Sequence, residues 1–136
     1  MSWDGYIDSV IGHSNGSCDK VAIIGLANGA FWTSSNHANS FDISADERRT
    51  IAAAMLCEDV SGFQMNGITI GGLKYQFLKA DFEQGLVLAN RKEHGQVTIQ
   101  KANTVIIIAH TMEGMVPGDV NAGVAKVIEY LKGLGM

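Results

Sequence analysis

Gly12-His13-Ser14-Asn15-Gly16 has the G-x-S-x-G spacing of a nucleophile elbow, in which a sharp turn presents a serine hydroxyl for acyl transfer. Such an elbow follows a strand and opens a helix. Here an amphipathic helical pattern precedes the serine and a strand pattern follows it, so a polar turn leaving a helix is the better reading. His13, Cys18 and Asp19 are metal-ligand types, but no C-x-x-C or H-x-x-x-H spacing accompanies them, and they read as surface-loop residues. Gly67, Gly71 and Gly72 with Lys74 lack the spacing of a phosphate loop. His110 reads as a buried or half-buried structural histidine, and His37 and His94 as exposed loop residues. The acids are scattered, with no pair placed for general acid–base work. No enzyme, metal or cofactor is expected from this pattern, although a hydrolase built on Ser14 and His13 stays open as a minor alternative.

The aromatic residues carry more information. Trp3 and Tyr6 lie three apart on a helix that starts at the second residue, Trp32 follows a turn, and Tyr130 lies at the edge of the last helix's apolar stripe. Core filling would account for most such stripes. If the two terminal helices pack side by side over the turn, however, these four rings converge on one exposed patch. Aromatic grooves of that kind bind proline-rich segments, because a polyproline helix is stiff before binding and loses little entropy. Indole N–H and phenol O–H groups can donate to its unpartnered carbonyls.

The elements that must position these rings are legible in outline. Ser2 is a suitable N-cap for a helix whose stripe is Trp3, Tyr6, Ile7, Val10 and Ile11. Ser44-Ala45-Asp46-Glu47 is a capping box opening a second helix through Ile51, Ala52, Met55 and Leu56. Pro117-Gly118-Asp119 opens a third, with Val120, Val124, Val127, Ile128 and Leu131 on one face and Gly133 and Gly135 stopping it. Two Asn-Gly pairs predict type I′ hairpins: Asn28-Gly29 between Val21–Leu26 and Ala30–Thr33, and Asn66-Gly67 between Phe63–Met65 and Ile68–Ile70. Leu73–Lys79 alternates as a strand. Leu86–Ala89 and Val97–Gln100 are joined by the turn from Arg91 to Gly95, and Val105–Ile108 reads as a central strand. With no strand–helix–strand crossover, the sheet should be antiparallel.

Composition agrees with one globular domain over residues 1–136. Of the 136 residues 46% are hydrophobic and 18% charged, with one proline, which excludes disorder. A net charge of −4 argues against a dedicated nucleic-acid binder. Residues 1–60 carry three basic and eight acidic groups, whereas residues 61–136 carry seven and six, so an acidic partner would dock on the second half. Cys18 and Cys57 are too few for a disulfide framework and read as reduced thiols. The longest apolar run, Val105 to Ala109, is too short for a bilayer, and no leader pattern opens the chain. A soluble intracellular protein is the expectation.

With those residues in place the sequence resembles the profilin family. The opening Ser2-Trp3-Asp4-Gly5-Tyr6-Ile7, the stretch Ala22-Ile23-Ile24-Gly25 before Trp32, and Asn66-Gly67-Ile68-Thr69-Ile70-Gly71-Gly72-Leu73-Lys74-Tyr75 carry the likeness. Pro117-Gly118, Asn121 and Glu129-Tyr130-Leu131 complete it. The resemblance implies an α/β fold of the α+β type, with a central antiparallel sheet, both terminal helices on one face and a shorter helix on the other. It implies a cytoplasmic, cytoskeleton-associated protein that binds monomeric actin, proline-rich segments of actin regulators and phosphoinositide headgroups. On this resemblance the polyproline patch falls on Trp3, Tyr6, Trp32, Tyr130, Leu131 and Met136. The actin face falls on Lys74, Gln76, Leu78, Lys92, Gly118, Asn121, Ala122, Ala125 and Lys126, and headgroup binding on Arg91, Lys92 and Lys126. Asn90 stands near where members of the family often carry arginine. A small-ligand sensor module of similar architecture is the alternative from a different class.

Overall fold

Val105-Ile106-Ile107-Ile108-Ala109 is fully buried along its whole length, which a strand achieves only when both sheet faces are covered. The computed structural model describes residues 3–136. Its strands are β1 (Cys18–Gly25), β2 (Ile68–Ile70), β3 (Leu73–Asp81), β4 (Leu86–Arg91), β5 (Gly95–Lys101) and β6 (Val105–Thr111). Its helices are α1 (Asp4–Gly12), α2 (Ala45–Cys57), α3 (Ser61–Asn66) and α4 (Pro117–Gly133). The strands form one antiparallel order, β1-β6-β5-β4-β3-β2. Strand alternation divides the core in two. Ile106 and Ile108 face a layer with α2 and α3, while Val105, Ile107 and Ala109 face Ile7 and Val10 of α1 and Val120, Val124 and Ile128 of α4. Each fully buried isoleucine contributes roughly 1.5–3 kcal/mol, so both layers hold the sheet in register. Ser2, the expected N-cap of α1, lies outside the described residues.

The two Asn-Gly expectations are corrected in different ways. Asn66-Gly67 is the end of α3, whose Phe63 is buried in the core, and forms no hairpin. Gly67 has φ 72°, and a Cβ there would meet the Tyr75 carbonyl oxygen at 2.7 Å. Asn-Gly supplies a positive φ, and a helix terminus uses it as readily as a type I′ turn. The β2–β3 hairpin instead turns on Gly71-Gly72, with Ile70 opposite Leu73. At Asn28-Gly29 the chain does reverse, with Gly25 N–H to Ala30 O and Trp32 N–H to Ile23 O both at 2.9 Å. Ala30–Thr33 nevertheless forms no strand, only a bridge between Ile24 and Phe31. The edge of β1 is shared instead: Thr33 Oγ1 accepts the Ile23 N–H, and the backbone at Asn39 and Phe41 bonds to Val21. That covering protects an otherwise open sheet edge.

Three further expectations change. Cys18 and Asp19 belong to β1 rather than to a surface loop, and Cys18 is buried. Desolvation is the main cause that pushes the Cys18 thiol up to about 11, which keeps it protonated and unreactive. Asp19 Oδ1 lies 2.6 Å from His110 Nδ1, while the opposite ring nitrogen of this buried histidine lies 2.5 Å from the His94 carbonyl oxygen. His37 is half-buried rather than exposed, with Nε2 3.0 Å from Asp8 Oδ1.

The capping box at Ser44 does more than start α2. Glu47 Oε1 accepts N–H bonds from Ser44 and Gly71, each 2.9 Å, and Oε2 accepts from Gly72 at 3.0 Å. One carboxylate thus ties the helix start to the β2–β3 turn. Burial works against its charge, but the three N–H donors outweigh burial and hold the Glu47 carboxyl below its ordinary 4.5. A carboxyl depressed by folding stabilises the native state above its unfolded value, and that stability is lost as pH falls through the folded value. Glu47→Gln, which can keep its amide oxygen toward Ser44 and Gly71 but then points an amide donor at the Gly72 N–H, should cost about 1–2 kcal/mol at pH 7 after allowance for solvent screening. The difference should shrink as unfolding curves are repeated from pH 5 to pH 3. An equal difference at every pH would show that the charge plays no part.

Candidate functional site

Trp3 stands at the N-cap position of α1 with its ring in contact with two others. Its ring centroid is 5.0 Å from that of Tyr6 and 4.9 Å from that of Trp32. Tyr6 in turn lies 6.3 Å from Tyr130 on α4. Four rings from three separate segments therefore form one continuous row, tilted at 40–56° in the spacing that aromatic pairs favour. Trp3, Tyr6 and Trp32 are half-buried, and Tyr130 is 58% exposed. The row has an anchored lower side, formed by the α1/α4 core layer, and an upper side open to solvent.

Hydrogen bonds between distant segments hold the row. The acids of α1 grip the loop that carries Trp32: Asp4 Oδ1 accepts the Ser34 N–H at 2.6 Å, and Asp8 meets His37. At the other end Thr104 Oγ1 donates to the Met136 carbonyl at 2.7 Å, and the Met136 N–H bonds Leu131 O. Met136 thereby packs on the same layer as Trp3 and Tyr6. Leu131, expected in the patch, is corrected: it is fully buried beside Val127 and Val124. Helical periodicity turns it inward, about 100° from Tyr130, so it supports the row from below. The Asp4 and Asp8 grips were missed in the sequence because their partners lie far along the chain.

The second group of expected residues lies elsewhere. Tyr75, Val87, Ala89, Val97 and Ile99 belong to the α2/α3 layer, so alternation places Lys74, Gln76, Asn90, Gln96 and Thr98 on the opposite side of the sheet. Cross-strand pairing aligns Gln76 with Asn90 and Asn90 with Gln96. That side is the side of α4, as Thr98 Oγ1 donates to Asn121 Oδ1 at 2.5 Å. Leu78, 45% exposed, is the extra residue of a β-bulge between Phe77, opposite Ala89, and Lys79, opposite Leu88. On α4, Gly118, Asn121, Ala122 and Ala125 occupy an arc of about 100°. Lys92 stands exposed on the β4–β5 turn. Asn90, singled out by the resemblance, and Gln96 in the sheet extend this surface, as do exposed Met115 and Val116 before α4; Gln96, Met115 and Val116 carried no signal in the sequence.

The cations expected to act together are divided between two sites. Lys126 lies about 80° around α4 from Gly118, on the seam with α1, where it lines a groove with Tyr6 and Tyr130. Arg91 and Lys92 line a different depression beside Gln96 and Met115. The three residues expected to hold a phosphoinositide headgroup therefore do not share one pocket. Arg91 Nη1 also donates to Lys74 O at 2.9 Å. Ser14, the candidate nucleophile, is fully buried with Oγ bonded to Val10 O at 2.5 Å, out of reach of any substrate. Among the described residues no three His, Cys, Asp or Glu side chains gather to hold a metal ion, and no helix is long and apolar enough to cross a membrane.

Comparison with known proteins agrees with this geometry. The profilin family model matches residues 1–136. Profilin of the sea urchin Heliocidaris crassispina is 42% identical, with both chains covered completely. Profilin II of Acanthamoeba castellanii superposes with a TM-score of 0.84 at 28% identity, covering 99% of this chain and 100% of that one. The fold is also that of mouse profilin IIa, solved in complex with a double repeat from the FH1 domain of mDia1, at a TM-score of 0.77, 20% identity and full coverage of both chains. A sheet with its terminal helices paired on one face, an aromatic row across both termini and a relative of this identity lead to one conclusion: the chain belongs to the profilin family, the actin-binding and polyproline-binding proteins of the cytoskeleton.

Proposed function

We propose that this chain binds an actin monomer on its β3–β5 and α4 surface and a proline-rich segment on its aromatic row. The observation that carries the reading is the row itself. Three segments distant in sequence bring Trp3, Tyr6, Trp32 and Tyr130 into contact, although core packing would be served as well by aliphatic residues. A row of tilted rings offers shallow slots to the pyrrolidine rings of an extended helix, and such a ligand loses little entropy on docking. The chemistry is association alone. One surface holds the monomer while the other holds the tether that delivers it to a growing filament end, a cytosolic task.

The actin surface combines small residues on α4 with polar strand residues and exposed Leu78, a mixture suited to a partner that must also be released. Phosphoinositide headgroups enter this reading only as ligands of the Arg91–Lys92 turn, because Lys126 lines a separate groove. Ala122 is exposed on the proposed actin arc, so Ala122→Arg should lower actin affinity at least tenfold, about 1.4 kcal/mol, by inserting a bulky side chain. In the same variant, titration with a polyproline decamer followed by tryptophan fluorescence should stay saturable with the wild-type midpoint. Actin affinity within a factor of two of wild type would remove α4 from the interface. A flat fluorescence titration of folded wild-type protein would remove the aromatic half.

A further inference from the structure

The aromatic row does not stop at Tyr130. It opens into a groove of about 400 Å³ between α1 and α4, lined by Tyr6, Ser9, His13, Lys126, Val127 and Tyr130. We infer that this groove is a subsite for an acidic side chain, aspartate or glutamate, flanking the proline-rich segment. The inference rests on the proline-rich reading above and extends it to the residues beside the prolines.

Three observations point to a carboxylate. Tyr6 and Tyr130, whose rings are 6.3 Å apart, belong both to the row and to the groove wall, so a chain leaving the row passes directly over it. The one formal charge in the groove lining is that of Lys126, with the His13 ring beside it and no carboxylate among the lining residues. Among the described residues neither side chain is engaged in a hydrogen bond or an ion pair, although acids are close in sequence. Asp8 on α1 is taken by His37, and Glu129, three residues on along α4, forms no ion pair with Lys126. An unpaired ammonium beside an aromatic wall can pair with a carboxylate that the ligand supplies. This also gives Lys126 a role where it lies, off the arc of Gly118, Asn121, Ala122 and Ala125.

The test uses five peptides on the full chain: a plain proline decamer, the decamer with two glutamates at its N-terminal or C-terminal end, and glutamine controls for each. One glutamate peptide should bind about three- to tenfold tighter than its glutamine control at low salt, the range expected of one or two exposed ion pairs. The preference should fade in 0.5 M salt and fall to about onefold in Lys126→Met. Equal binding of glutamate and glutamine peptides at both ends, with the plain decamer still bound, would overturn the subsite alone. A preference that survives in Lys126→Met would overturn it as well. No binding of the plain decamer would overturn the proline-rich reading, and this inference with it.

Discussion

Trp3→Ala should abolish measurable binding of a polyproline decamer while leaving a folded protein. Trp3 is the ring in contact with both Tyr6 and Trp32, at 5.0 Å and 4.9 Å, so its removal splits the row into an isolated indole and a tyrosine pair. Central aromatic anchors are where binding energy concentrates, and truncating one costs roughly 2–4 kcal/mol, or a factor of thirty to a thousand. The fold loses less. Trp3 is half-buried at the start of α1, and Ile7 and Val10 still bury that helix. The Asp4–Ser34 bond still holds the Trp32 loop in place. Trp3→Phe, which keeps a ring but loses area and the indole donor, should fall between, at about tenfold. Calorimetric titration alongside a thermal melt separates the two effects. Affinity of a folded Trp3→Ala within threefold of wild type would mean that the row is packing and nothing more.

How much of this surface could be read beforehand depended on the range of the interactions involved. Trp3, Tyr6 and Tyr130 were legible because helical periodicity is local: three residues apart on α1 and at the edge of the α4 stripe fixes their direction. Trp32 was legible only as the residue after a turn. Its place against Trp3 depends on Asp4 and Asp8 gripping Ser34 and His37, and no local pattern encodes a pairing across some thirty residues. The alternating strands and the all-buried β6 were clear for the same local reason. Asn66-Gly67 was misread because a positive φ is required equally by a type I′ turn and by the end of α3, and only the burial of Phe63 decides between them. Helical periodicity places Leu131 on the apolar face of α4 and only the family resemblance puts it in the patch; its full burial follows the periodicity, one position on from exposed Tyr130. The neighbourhood of Lys126 depends on how α1 and α4 pack, which neither helix states alone.

That packing has its own narrow point, and Gly123→Ala should expose it with a second large effect. Gly123 is buried in α4 where the helix crosses the end of α1. On an exposed helix the substitution would add about 1 kcal/mol of stability, because glycine is the weaker helix former. Here an alanine Cβ would sit 2.5 Å from Ser14 Oγ and 3.1 Å from the carbonyl carbon and oxygen of His13. Ser14 cannot turn away freely. Its hydroxyl is fully buried and bonded to Val10 O, and breaking that bond strands a polar group at a cost of about 1–3 kcal/mol. The His13 contact is with backbone, which yields only if α1 moves. Overpacking of about 1–3 kcal/mol therefore adds to the stranded hydroxyl, and together they exceed the propensity gain, leaving a net loss of roughly 3 kcal/mol. The same displacement separates Tyr6 from Tyr130, so proline-peptide affinity should fall even though no ring has been altered. Ser14→Gly in the Gly123→Ala background removes the nearest obstacle and should recover part of both losses. A coupling of about 1 kcal/mol in that double-mutant cycle is the expected result. Strict additivity, or a more stable Gly123→Ala, would show that α1 and α4 are free to shift and that the aromatic row is not fixed by their contact.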